Sequence, residues 1–239
     1  MKEYETVIFD LDDTLIDNHE SIKFAFMKVL YVLDISYNDI LLAKWKHHDT
    51  LYWHSWESGS LNVPKYINKL EDKITYLKAN RFIRFFSMLD LSFQDAVSLN
   101  EIYCNALGVN IKEINGASDL LSTISNKYEV VIATNGPREA AMNKIEKVKI
   151  NSYISLLVSS EEVGYSKPNK EFFNYMVDKC ANSDTNKMLL VGDSLSTDIL
   201  GGMNYNIDTC FYNPNNIIVP DMYNPVITVN KLLELKKRL

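Results

Sequence analysis

Short apolar runs and longer amphipathic stretches alternate unevenly along this chain, and the unevenness is a first guide to its architecture. Residues 6–11 are rich in β-branched and aromatic types and stop at a cluster of aspartates, which predicts a buried strand ending at a polar edge. From Asn18 to about Leu107 the period changes. Ile22, Phe26, Val29, Leu30 and Leu33 recur at three and four, and Phe82, Phe85, Phe86 and Leu89 do so again, so the whole stretch reads as helical. After Gly116, apolar runs at 130–133, 154–158, 188–191 and 209–212 alternate with amphipathic segments, and a further short strand is expected at 226–229.

Such alternation predicts an α/β fold, a Rossmann-like parallel sheet with helices on both faces. One strand cannot stand alone beside a helical bundle, so the N-terminal strand must belong to the later sheet. The expected organisation is a core of residues 1–17 and 108–239 carrying a helical insertion of residues 18–107. Loops that follow strands in an open α/β sheet lie at its carboxyl edge, where ligands bind, so the insertion is expected to overhang that edge. Only two chain crossings join it to the core, and hinging is expected near Asp17 and Asn18 and again between Asp90 and Gly108.

A length of 239 residues suits a main domain with a smaller insertion, and 46% apolar residues promise a sizeable core. The net charge of -6 argues against a nucleic-acid polymer as partner, because a phosphate backbone is gripped by clustered Lys and Arg. Cys104, Cys180 and Cys210 are far apart and form no CxxC pair, which suggests neither disulfides nor zinc and points to a reducing, cytoplasmic compartment. Acidic residues interrupt the first apolar stretch too early for a signal-peptide core. No run approaches the roughly 18 apolar residues of a membrane helix, so no membrane partner is expected.

Four short elements carry chemistry. Asp10-Leu11-Asp12-Asp13-Thr14 places carboxylates at the end of the first strand, and period-two alternation would send Asp10 and Asp12 the same way if it persisted there. A helix cap or an acidic turn would look similar, and the pattern arises by chance in roughly a few per cent of chains this long. At Thr134-Asn135-Gly136 a second strand ends in hydroxyl, amide and glycine groups, able either to hold phosphate oxygens or simply to cap the next helix. Lys167-Pro168 puts a lysine on a stiffened loop, although a lone lysine is usually solvated. Asp193 ends the 188–191 run and Asp198 follows it, oxygen-only ligands that suit Mg²⁺ better than Zn²⁺, while Asp198 alone could be an acid in the first turn of a helix.

Together, and in this order, the four elements resemble the motifs of the haloacid-dehalogenase superfamily of phosphohydrolases, and the likeness spans nearly the whole chain. The resemblance implies Asp10 as nucleophile and Asp12 as general acid/base. It implies Thr134, Asn135 and Lys167 as phosphate-binding residues, Asp10, Asp12 and Asp193 as Mg²⁺ ligands, and Asp198 as orienting Lys167 or metal-bound water. The insertion looks like the helical cap of the first type. Ser160-Glu161-Glu162-Val163-Gly164 before Lys167-Pro168-Asn169-Lys170, and Asp198-Ile199-Leu200-Gly201-Gly202 with residues 209–214, resemble the pyrimidine 5′-nucleotidase branch, as do Glu57-Ser58-Gly59 and Arg81-Phe82.

The implied activity is hydrolysis of a small phosphomonoester through an aspartyl-phosphate, with a nucleoside 5′-monophosphate of the pyrimidine class as substrate. Asp12 favours a phosphatase over a dehalogenase, because only an alkoxide leaving group needs a proton. A phosphosugar or phosphoglycolate-type phosphatase, a phosphomutase and a non-catalytic binding module of the same fold remain as alternatives. The insertion holds Trp45, Trp53 and Trp56 with His19, His47, His48 and His54; its aromatic rings could stack on a nucleobase or simply form the bundle core.

Overall fold

The computed structural model describes residues 3–57, 60–91 and 95–239. Ser58 and Gly59, and the side chains of His54, Trp56 and Glu57, lie outside the described residues. The chain divides into two compact units, Met1–His19 with Ile111–Leu239, and Glu20–Asn110.

In chain order the elements are β1 (Thr6–Phe9), β2 (Ile16–Asp17), α1 (Asn18–Val32), α2 (Asp39–Glu57), α3 (Leu70–Ser87), α4 (Ala96–Leu107) and β3 (Lys112–Glu113). Then follow α5 (Ala117–Ile124), β4 (Glu129–Thr134), α6 (Arg138–Lys147), β5 (Leu156–Ser159), α7 (Ser160–Val163) and α8 (Lys170–Lys179). The chain continues with β6 (Met188–Gly192), a π-helical turn at Leu195–Ile199, α9 (Leu200–Asn204), β7 (Asp208–Tyr212), β8 (Ile227–Val229) and a 3-10 segment at Leu232–Lys237.

The first unit is built on a six-stranded, all-parallel sheet in the order β5-β4-β1-β6-β7-β8. As the alternation predicts, the N-terminal strand joins the later ones, and it takes a central place with β4 and β6 as neighbours. Successive side chains of a strand point to opposite faces, and both faces are covered. Val7, Phe9, Val130, Ile132, Leu189 and Val191 pack with Leu120, Leu121 and Ile145 of α5 and α6. Ile8, Val131, Ala133, Met188 and Leu190 pack with Phe172, Phe173 and Met176 of α8.

Strand β1 ends at Phe9, two residues before the apolar run does. Asp13 adopts a left-handed φ of 63°, and Leu15 and Ile16 both donate their N–H to Leu11 O, so the chain turns sharply after Asp10. The unit also contains an antiparallel pair, β2 with β3, which joins the segments leading to and from the insertion. Two-residue strands leave no periodic signal. The second unit begins two residues later and ends three residues later than the range 18–107 read from helical period, and His19 lies on the sheet side.

The second unit is a bundle of α1–α4. Trp45 is fully buried at its centre, stacked on Phe26 (5.4 Å between centroids) and Phe82 (4.6 Å), and its Nε1 donates to Tyr103 OH at 3.2 Å. Arg81, also buried, donates to Asp49 Oδ1 and Asn100 Oδ1, each at 3.0 Å, so its charge is paired. Burial pushes the His48 imidazole down, and its Nε2 lies 3.0 Å from Arg81 O. Trp45 and His48 are thus bundle core, whereas Trp53 is half-buried beside Tyr52 and Arg81. Among the described residues no helix is long and apolar enough to cross a membrane.

Candidate active site

The carboxyl ends of β1, β4 and β6 lie side by side because those strands are neighbours, and each ends in polar residues. In a parallel sheet this edge, where the strand order reverses, is where ligands are received. A cleft of about 200 Å³ opens there. Asp10 and Asp12 line it from the end of β1, Thr134, Asn135 and Gly136 from β4, and Asp193, Ser194, Thr197 and Asp198 from the end of β6 and the turn after it. Lys167 enters from the loop before α8. The structure thus gathers at one site every residue singled out from the four motifs.

Lys167 is 1% exposed, and its Nζ donates to Asp10 Oδ1 (2.6 Å), Asp198 Oδ1 (2.8 Å) and Ala133 O (2.6 Å). Burial alone would push this ammonium down, but the Asp10 and Asp198 carboxylates outweigh it and hold it above the ordinary lysine range. The Asn135 amide fixes the same loop from both ends. Its Oδ1 accepts Lys167 N–H at 2.8 Å and its Nδ2 donates to Lys167 O at 3.0 Å. Asn135 thereby aims Lys167 and keeps one amide hydrogen for a ligand.

Asp198, fully buried, accepts from Lys167 on Oδ1 and from Ser194 N–H on Oδ2 at 3.1 Å, so both of its oxygens are engaged. Asp193 is pinned by Thr14, a residue to which the motif reading assigns no role. Thr14 Oγ1 donates to Asp193 Oδ1 and accepts Asp193 N–H, both at 3.1 Å, with Thr14 itself fully buried. Thr134 Oγ1 accepts Gly136 N–H at 3.0 Å, which leaves its own hydrogen to donate to an anion.

Asp10, Asp193 and Asp198 can each offer a carboxylate oxygen, with the three atoms within 4.8 Å of one another. Burial first, and then the charges of Asp198 and Asp193, raise the Asp10 carboxyl well above its usual range against the pull of Lys167. Burial and the charges of Asp198 and Asp13 push Asp193 up to about 7. Two buried acids bonded to one lysine, with the half-buried Asp193 beside them, form a set of oxygen-only donors that fits a hard divalent cation such as Mg²⁺. Asp12 stands apart from this cluster. Its Oδ1 is held by Lys144 of α6, and its Oδ2 lies beside Gly136, 3.7 Å from where a Cβ on that glycine would stand. β1 ends before Asp12, and the Asp12 side chain is engaged by Lys144 of α6. Lys144 is a second participant without a motif; the available signal is a lysine between Ala141 and Ile145 on a core-facing helix stripe.

Residues 7–212 match the family model of haloacid dehalogenase-like hydrolases. The chain belongs to that family. The hydrolase is 34% identical over 180 residues to the pyrimidine 5′-nucleotidase YjjG of Escherichia coli, covering 75% of this chain and 80% of that protein. It is 29% identical over 219 residues to the pyrimidine 5′-nucleotidase PynA of Streptococcus pneumoniae, covering 90% and 86%. The crystal structure of the HAD-hydrolase YfnB of Bacillus subtilis, which is bound to magnesium and shows interdomain movement, superposes on the hydrolase with a TM-score of 0.86. That superposition has 26% identity and covers 100% and 99% of the two chains.

Proposed function

We propose that this hydrolase is a Mg²⁺-dependent phosphomonoesterase that forms an aspartyl-phosphate on Asp10 and prefers pyrimidine nucleoside 5′-monophosphates. The observation that carries the reading is the pairing at one sheet edge of a buried, lysine-bonded carboxylate, Asp10, with a second acid, Asp12, held apart from the acidic cluster. A nucleophile and a separate proton donor are what alkyl phosphate hydrolysis needs. The substrate class is supported by the names of YjjG and PynA.

In this reading Asp10 attacks phosphorus while Lys167, the Thr134 hydroxyl and the spare Asn135 N–H neutralise the phosphate oxygens. Asp12 protonates the leaving alkoxide, then takes a proton from the water that attacks the aspartyl-phosphate, releasing phosphate and restoring Asp10. Asp10 and Asp193 would hold Mg²⁺ through their carboxylate oxygens, with Asp198 adjoining and orienting Lys167. The ion would supply charge screening between the carboxylate and the phosphate dianion. The helical unit, Glu20–Asn110, would act as a cap that selects the substrate. A reducing, cytoplasmic setting suits the free thiols of Cys104, Cys180 and Cys210.

The test is a phosphate-release screen over pyrimidine and purine nucleotides, hexose phosphates and phosphoglycolate, with Mg²⁺ and with excess chelator. The highest kcat/KM should fall on uridine, cytidine or thymidine 5′-monophosphate, and chelator should abolish release. A hexose phosphate or phosphoglycolate ranking first would overturn the substrate assignment, and full activity in chelator would overturn the metal.

A further inference from the structure

Lys144 lies on the stripe of α6 that also buries Ala141 and Ile145 against the sheet, and it is only 8% exposed. A lysine so placed is unfavourable unless its ammonium finds partners. Its Nζ donates to Asp12 Oδ1 and, at 3.3 Å, to Asn18 Oδ1. Asn18 N–H in turn donates to Asp13 Oδ1 at 3.0 Å, so the turn after β1 is strapped to α6 around the Asp12 carboxylate.

The consequence is atom-specific. Oδ1 is occupied by the ammonium, and Oδ2 faces Gly136 on the wall of the cleft. An aspartate turns about two bonds, and without an anchor this one would be free to swing towards any cation held by Asp10 and Asp193. We propose that Lys144 is a positioning residue, which holds Asp12 by Oδ1 so that Oδ2 is the oxygen that gives its proton to the leaving group. In that step the Asp10 oxygen–phosphorus bond forms and the phosphorus–leaving oxygen bond breaks. The departing oxygen keeps the electron pair and takes the proton from Asp12 Oδ2. The inference rests on the phosphatase reading above.

The test is kcat/KM, which reports events up to departure of the leaving group, on uridine 5′-monophosphate, phenyl phosphate and 4-nitrophenyl phosphate. These need protonation of the leaving oxygen in decreasing order. Lys144→Met should cost about 10- to 100-fold on the nucleotide, less on phenyl phosphate and under about 3-fold on 4-nitrophenyl phosphate, a share of what general acid catalysis contributes. Lys144→Arg, which keeps the charge and a donor, should recover most of the loss. Lys144→Gln, neutral but still a donor, is read in the same way should the methionine variant fail to fold. Equal losses on all three substrates, or no loss on the poor leaving groups, overturn the inference and leave Lys144 as a structural ion pair. A wild-type protein that releases phosphate from none of them overturns the phosphatase reading and this inference with it.

Discussion

Gly192, the last residue of β6, leaves no room for a side chain. A Cβ there would stand 2.2 Å from Asp198 Oδ2, 2.4 Å from its Cγ and 2.6 Å from its Cβ, well inside contact distance. Asp198 cannot yield easily, because it is fully buried and bonded at both oxygens, to Lys167 Nζ and to Ser194 N–H. Gly192→Ala must therefore break one of those bonds or shift the π-helical turn that carries the aspartate. A lost hydrogen bond to a charged group costs about 1.5–3 kcal/mol and overpacking adds ~1–3 kcal/mol, so about 2.5–6 kcal/mol is expected. At ~2–4 °C per kcal/mol for a chain of this size, the melting temperature should fall by about 5–24 °C. With Asp198 displaced, Lys167 keeps only Asp10 and Ala133 O, and turnover should drop at least about 10-fold for each ~1.4 kcal/mol of lost transition-state stabilisation. Thermal denaturation followed by circular dichroism, with phosphate release on the same preparation, reads both. A variant melting within about 1 °C of the parent and turning over within about 2-fold would show that Asp198 is not what excludes a side chain at this position.

Two further outcomes test other parts of the site. Asp10→Asn should abolish phosphate release, a loss of at least about 10³-fold, while leaving the circular dichroism spectrum unchanged; near-normal turnover would mean that water attacks phosphorus directly. Thr14→Val keeps the volume but removes both bonds to Asp193, so the Mg²⁺ concentration for half-maximal activity should rise about 10- to 100-fold. An unchanged Mg²⁺ requirement in a Mg²⁺ titration of Thr14→Val would remove Thr14 from the site.

The strands are legible in the sequence because burial on both faces requires unbroken runs of β-branched and aliphatic residues, a property that each segment carries by itself. The helices of the insertion are legible for the same reason, since Phe26, Phe82 and Phe85 recur at the helical period and do form its core. Asp10, Thr134 and Asp193 stand out because each follows such a run, whereas Lys167 and Asp198 are singled out by the resemblance of the four motifs together. Illegible from the sequence are the partnerships. Thr14 and Asp193 are 179 residues apart and Lys144 and Asp12 are 132 apart, and no local period links them. The alternation that would send Asp10 and Asp12 the same way stops with β1 at Phe9, and Asp12 meets Lys144 of α6. Gly192 reads as an ordinary strand end until Asp198 is seen lying against it. Local sequence sets backbone preference and which face is apolar. Which polar groups meet is decided by the sheet order β4-β1-β6, which brings together strands far apart in the chain, and only the tertiary structure contains that order.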